Sequence, residues 1–172
     1  MADRCNIFAA ETGSIKSTRK TIATQTSGKH FGEHVMIDGY QCSEDKLNDR
    51  NVVLACLTEL PPQLLMKPLS WPEIYFAEGS TVKDSGGWTG FIVIQESHIS
   101  VHTFPALRFV SIDVYTCKNG LNVAAIEDYF REKLSIEVFE TQVVKRGRQF
   151  FDLALSHAAK RMANHGASSG GN

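Results

Sequence analysis

Long hydrophobic runs are missing from this chain of 172 residues. Its most apolar stretches, such as Gly90-Phe91-Ile92-Val93-Ile94, are strand-length and fall far short of the roughly 20 residues a membrane helix needs. The N-terminal region also lacks the continuous apolar segment of a secretory signal. These absences lead to the expectation of a cytoplasmic protein with no membrane partner. An excess of charge of either sign is missing too: 18 Lys and Arg stand against 19 Asp and Glu, a net charge of -1. Such balance offers no electrostatic handle for nucleic acid, so a partner must be inferred from the site itself. Cysteine is sparse, and Cys5, Cys42, Cys56 and Cys117 form no Cys-x-x-Cys pair, which argues against both a zinc knuckle and a disulfide framework. His98 and His102 are spaced as helical ligands would be, but the Ile99/Val101 alternation between them predicts a strand. There they would share a face roughly 13 Å apart, too far to hold one ion. No metal is expected.

What is present describes one ordinary domain, with 42% apolar and 22% charged residues and length enough to bury a core. Residues 1 to 29, rich in Ser, Thr, Lys and Ala with little periodicity, read as a mobile N-terminal extension. The domain proper is placed at 30 to 146. Residues 147 to 172 are expected to form a C-terminal helix, over about Phe150 to Met162, and a flexible Gly/Ser tail from Ala167.

Within the domain, His34 to Asp38 reads as a strand, and Ser43 is a candidate cap for one helix over Glu44 to Leu60, stopped by Pro61-Pro62. A strand over Met66 to Phe76 is weakened by its two prolines. A Gly-rich turn at Ser85-Gly86-Gly87 leads into three consecutive strands, Thr89 to Ile94, Ser97 to Phe104 and Arg108 to Cys117. A helix from about Asn122 to Leu134 follows, with Ala124, Ile126 and Phe130 near helical spacing, and Ile136 to Val144 returns as a strand. This order predicts an α/β fold of the α+β type: a two-layer sandwich, with a mainly antiparallel sheet and helices on one face.

The chemistry is concentrated in Gln95-Glu96-Ser97-His98-Ile99-Ser100-Val101-His102-Thr103-Phe104-Pro105 and in Cys117, which place a hydroxyl, an imidazole and a thiol on neighbouring extended segments. Each has an ordinary alternative. Cys117 can be a small buried hydrophobe, Ser97 a turn residue and His102 a strand histidine bonded to backbone. There is no Gly-x-Ser-x-Gly elbow to make a serine hydrolase. In a regular strand Ser97 and His102 face opposite sides, so they can meet only if Ser97 sits at a bend.

The window Gly90 to Pro105, with Phe109-Val110-Ser111-Ile112-Asp113-Val114-Tyr115-Thr116-Cys117, closely resembles the prokaryotic S-adenosylmethionine decarboxylase proenzyme family. His34-Val35-Met36-Ile37-Asp38-Gly39-Tyr40 is similar to that family's first strand, and the resemblance spans about residues 33 to 145. It implies a carboxy-lyase that cuts itself between Glu96 and Ser97 and converts Ser97 into a pyruvoyl cofactor. The Ser97 hydroxyl would attack the Glu96 carbonyl, helped by a strained bend, and β-elimination and hydrolysis would follow. The same resemblance gives His102 the serine α-proton and places Thr89 where the family has a processing serine. The pyruvoyl carbonyl would form a Schiff base with the substrate amine and act as electron sink. Cys117 would then return a proton to the substrate, since an ordinary thiol, with a pKa of about 8.5, is mostly protonated at neutral pH. A homodimer of processed α and β chains, producing decarboxylated S-adenosylmethionine for spermidine synthesis, is what the family implies.

Ala106 departs from the pattern, because it stands where the family has the glutamate that binds the substrate ribose. Replacing a charged acceptor with a methyl group should weaken ribose binding by roughly 1.5 to 3 kcal/mol. Family members that decarboxylate L-arginine or L-ornithine are therefore the alternative, with Trp88, Asp84, Glu73 and Glu78 either helping to bind a basic side chain or standing as solvated loop residues. An inactive homologue serving as a regulatory subunit is the further alternative.

Overall fold

A computed structural model describes residues 29–166 of the chain. Cys5, the Gly/Ser tail and all but the last residue of the expected N-terminal extension lie outside the described residues. Six strands, β1 (Gly32–Tyr40), β2 (Glu73–Ala77), β3 (Gly87–Ile94), β4 (Ser97–Phe104), β5 (Phe109–Thr116) and β6 (Val138–Arg146), form one antiparallel sheet in the order β2-β3-β4-β5-β1-β6. Helices α1 (Glu44–Leu47), α2 (Arg50–Gln63) and α3 (Val123–Leu134) pack with the sheet, and α4 (Phe150–Gly166) follows it. The expected α+β sandwich and its central β3-β4-β5 meander are therefore present.

Strand parity decides which face each residue serves. Val110, Ile112 and Val114 of β5 join Val35 and Ile37 of β1, Ile99 and Val101 of β4, and Ile92 and Ile94 of β3 in a core closed by Val53, Leu57 and Leu60 of α2 and Ile126, Phe130 and Leu134 of α3. Each fully buried aliphatic side chain contributes roughly 1.5 to 3 kcal/mol. The opposite face presents half-buried polar and aromatic groups instead, among them His34, Asp38, His98, His102, Ser111, Asp113 and Tyr115.

Four local expectations are corrected. The single helix over Glu44 to Leu60 is two: Ser43 caps α1 through the Lys46 N–H, but Asp49 accepts from the Asn51 N–H at 2.7 Å and starts α2 anew. Nor do Pro61 and Pro62 stop the helix, which runs to Gln63. Its end is a left-handed Leu65 (φ +55°), with the Met66 N–H donating to the Pro61 carbonyl at 2.8 Å and the Leu65 N–H to that of Pro62 at 3.1 Å. The strand expected from Met66 begins only at Glu73; residues 66–72 run irregularly past β3, touching it by a bridge from Pro68 to Ile94. Ala124, expected on the inward stripe of α3, is exposed; the buried face is Ile126, Tyr129, Phe130 and Leu134.

Candidate active site at the β3-β4 turn

Ile94 pairs with Ser97, so β3 and β4 are joined by the two-residue turn Gln95-Glu96. Ser97 leaves that turn at φ +152°, a backbone state that side chains with a Cβ rarely adopt. The bend is thus located at the serine itself. Its hydroxyl lies 3.1 Å from Nδ1 of His98.

Neighbouring segments grip the turn. The Gln95 N–H donates to the Lys67 carbonyl at 2.7 Å, and the Lys67 N–H donates to Glu96 Oε2 at 3.1 Å. Because β5 pairs with β4 up to Thr116 opposite Ser97, the next residue, Cys117, is delivered to the same place. Its backbone N–H donates to the Glu96 carbonyl oxygen at 2.9 Å. Lys118 adds an ion pair to Glu96 Oε1 at 3.1 Å. Burial opposes ionisation of Glu96, yet the Lys67 N–H and the Lys118 ammonium outweigh it and hold the carboxyl below its ordinary value.

Cys117 is exposed, in contrast to Cys42 and Cys56, whose thiols are pushed up by burial to about 11 and about 12. The ordinary reading of Cys117 as a small buried hydrophobe is therefore set aside. His102 lies elsewhere: Thr89 faces it across the β3-β4 ladder, and Thr89 Oγ1 is 3.2 Å from its Nδ1. His102 stands five residues along the strand from Ser97, on the order of 17 Å away. The structure thus gathers Glu96, Ser97 and Cys117 in one place and Thr89 with His102 in another.

A family-level match covers residues 33–147 and is described as S-adenosylmethionine decarboxylase. The chain belongs to the S-adenosylmethionine decarboxylase family. Among curated relatives, the S-adenosylmethionine decarboxylase proenzyme of Clostridium botulinum (strain Hall) is 28% identical over 120 residues, 70% of this chain and 97% of that protein. The proenzyme of Clostridium tetani is 30% identical over 118 residues, 69% of this chain and 88% of that one. The crystal structure of the adenosylmethionine decarboxylase from Aquifex aeolicus VF5 superposes with a TM-score of 0.59 at 27% identity, covering 70% of this chain and 93% of that one. Within the S-adenosylmethionine decarboxylase region lie all of the candidate site residues, whereas α4 falls outside it.

The residues considered for a basic substrate are dispersed in this member of the S-adenosylmethionine decarboxylase family. Trp88 donates its ring N–H to the Asn48 carbonyl at 2.9 Å and packs edge-on to Phe76. Asp84 closes its own loop, accepting from Ser80 Oγ at 2.9 Å and from the Gly86 N–H at 3.3 Å. Glu73 accepts from the Tyr75 hydroxyl at 2.7 Å, and Glu78 is exposed. Ala106 sits exposed in a short 3-10 turn, Pro105–Leu107, after β4.

Residues that sequence reasoning missed are His98, Lys67 and Lys118 around the turn, and a network on the half-buried sheet face. There His34 Nε2 lies 2.8 Å from Asp113 Oδ1, Ser100 donates to Asp113 Oδ2 at 3.3 Å, and the Arg146 guanidinium sits 4.2 Å over the Tyr115 ring. Burial, and then the charge of His34, hold His98 below the ordinary histidine value. Strand alternation alone could have put these side chains on one face; it takes the β4-β5, β1-β5 and β1-β6 pairings to make them neighbours. Among the described residues, no helix is long and apolar enough to cross a membrane.

Proposed function

We propose that this chain is a self-processing, pyruvoyl-dependent decarboxylase that converts S-adenosylmethionine to its decarboxylated form and carbon dioxide. The observation that carries this reading is the Glu96-Ser97 junction: a serine in a strained backbone state follows a carbonyl that already accepts the Cys117 N–H. Ser97 Oγ attacks the Glu96 carbonyl carbon, and negative charge collects on the oxygen held by that N–H. His98, whose charged form burial disfavours, accepts the hydroxyl proton and returns it to the departing Ser97 amine, so the amide becomes an ester with no net proton change. Removal of the Ser97 α-proton then expels the Glu96 carboxylate. Hydrolysis of the resulting dehydroalanine releases ammonia and leaves a pyruvoyl group at the head of residues 97–172. The strain at Ser97 ends with the cut, which favours the forward direction.

Once formed, the pyruvoyl group supplies an electrophilic carbonyl and an electron sink for decarboxylation. Cys117, exposed beside it and presenting a thiol, returns the proton to the substrate carbon. His102 is too far along β4 to reach Ser97 of its own chain, so its role in removing the α-proton requires a second copy. We therefore place the Thr89-His102 pair of one protomer against the partner's Ser97 in a homodimer joined through the half-buried sheet face.

A second reading is favoured by Ala106, which offers no acceptor to a ribose: decarboxylation of L-arginine or L-ornithine by the same machinery. Denaturing mass spectrometry tests the processing. Two fragments, residues 1–96 and a pyruvoyl-headed 97–172, are expected, and a single intact species after prolonged incubation refutes it. Carbon dioxide release from S-adenosylmethionine, L-arginine and L-ornithine separates the substrates, and release from the amino acids alone would select the second reading.

A further inference from the structure

Lys118 is not accounted for by any step above, yet it holds together parts of the chain distant in sequence. Its ammonium pairs with Glu96 Oε1 at 3.1 Å and also donates to the Leu65 carbonyl. Leu65 is the left-handed residue that ends α2. Two residues on, the Lys67 N–H holds the other Glu96 oxygen at 3.1 Å, and the Lys67 carbonyl takes the Gln95 N–H at 2.7 Å. The turn is thereby tied to the end of α2 on one side and to the end of β5 on the other. Glu96 has a side chain only 12% exposed, whereas that of Lys118 is 43% exposed, so the carboxylate is the fixed partner and the lysine closes the clasp from outside.

Resting on the self-cleavage reading, we infer that Lys118 is a positioning residue for the cut, acting through the Glu96 carboxylate. The step it serves joins Ser97 Oγ to the Glu96 carbonyl carbon, breaks the bond from that carbon to the Ser97 nitrogen, and leaves the hydroxyl proton on the freed amine. For this, the Glu96 carbonyl must stay against the Cys117 N–H while the neighbouring serine moves. A Glu96 side chain pinned at both oxygens stops the residue from rotating away from that donor. Lys118 touches neither reacting atom. Its contribution is the fixed orientation of the group under attack.

The test follows the first-order appearance of the 97–172 fragment in freshly purified full-length chain, by intact mass. Lys118→Met should slow the cut about tenfold, as befits the loss of one charge-assisted hydrogen bond. Lys118→Arg, which keeps charge and reach, should restore it to within about twofold. Glu96→Gln should slow the cut as well, and the double variant Glu96→Gln/Lys118→Met should be little slower than the slower single variant, because both changes remove one interaction. Strictly multiplicative effects, or a Lys118→Met chain that cuts as fast as the wild type, would overturn the inference. A slow Lys118→Met chain that Arg does not rescue would also overturn it, because charge and reach would then not account for the loss. If the wild type itself stays whole, the self-cleavage reading fails and this inference falls with it. A cutting wild type beside an equally fast Lys118→Met chain refutes only the clasp.

Discussion

Replacing Ser97 by alanine and by glycine separates the chemistry of this residue from the strain of its backbone. Both variants lack the attacking hydroxyl and the contact to His98, so both should remain whole. They differ in how they bear φ +152°. Alanine keeps the penalty for a Cβ in that state, on the order of 1 to 3 kcal/mol, and glycine is freed of it. Against this, glycine makes the unfolded chain more flexible, which lowers stability by about 0.4 to 1 kcal/mol. The balance favours glycine by about 1 kcal/mol or somewhat more. For a chain of this length each kcal/mol moves the midpoint by roughly 2 to 4 °C, so Ser97→Gly should melt about 3 °C above Ser97→Ala. The assay is thermal unfolding followed by circular dichroism at one protomer concentration, after mass spectrometry confirms that both chains are uncut. A glycine variant melting at or below the alanine variant would refute the claim that strain is stored at the cut site.

Further outcomes follow from the same geometry. In mixtures of His102→Ala and Ser97→Ala chains, the His102→Ala chain should be cut only when the second variant is present, as read by fragment mass; no cutting in the mixture would refute a shared site. Ala106→Glu should lower KM for S-adenosylmethionine by about tenfold to a hundredfold, matching roughly 1.5 to 3 kcal/mol, with little change for arginine or ornithine; an unchanged KM would remove Ala106 from the pocket. In a Cys5→Ser background at pH 8, a thiol reagent should label Cys117 alone within minutes, because Cys42 and Cys56, with pKa values raised by burial to about 11 and about 12, stay protonated there. Rapid labelling of more than one thiol per chain would contradict the burial of the other two.

The alternation Val110/Ile112/Val114 marked β5 and its inward face without help from the structure, and Asn122 marked the start of α3, where its side chain does accept the Ala125 N–H at 3.2 Å. Local pattern suffices where a strand has one apolar face or a helix one clear cap. It failed at Asp49, because a second capping residue within a helical stretch competes with continuation and tertiary packing chooses between them. It failed at Pro61-Pro62 because prolines late in a helix remove N–H donors from a last turn that Leu65 closes in another way. The candidate site residues stood out as a motif. Their division into two groups was legible only in part: strand parity put Ser97 and His102 on opposite faces, but that the bend at Ser97 does not bring them together follows from the run of β4 alone. Lys118 carried no signal at all; its place beside Glu96 depends on the register of β5 against β4.

The strand order gives the proposed cut an unusual mechanical outcome. Severing Glu96 from Ser97 would leave β1, β2 and β3 on the first fragment and β4, β5 and β6 on the second. Yet β1 lies between β5 and β6, hydrogen-bonded to β5 from Glu33 to Gly39 and to β6 from Gly32 to Tyr40, while β3 remains laced to β4. Each fragment is thus threaded through the other, and parting them means pulling a central strand out of the sheet. The nicked protein would behave as one body, with its newly made end free to shift while everything around it stays in place.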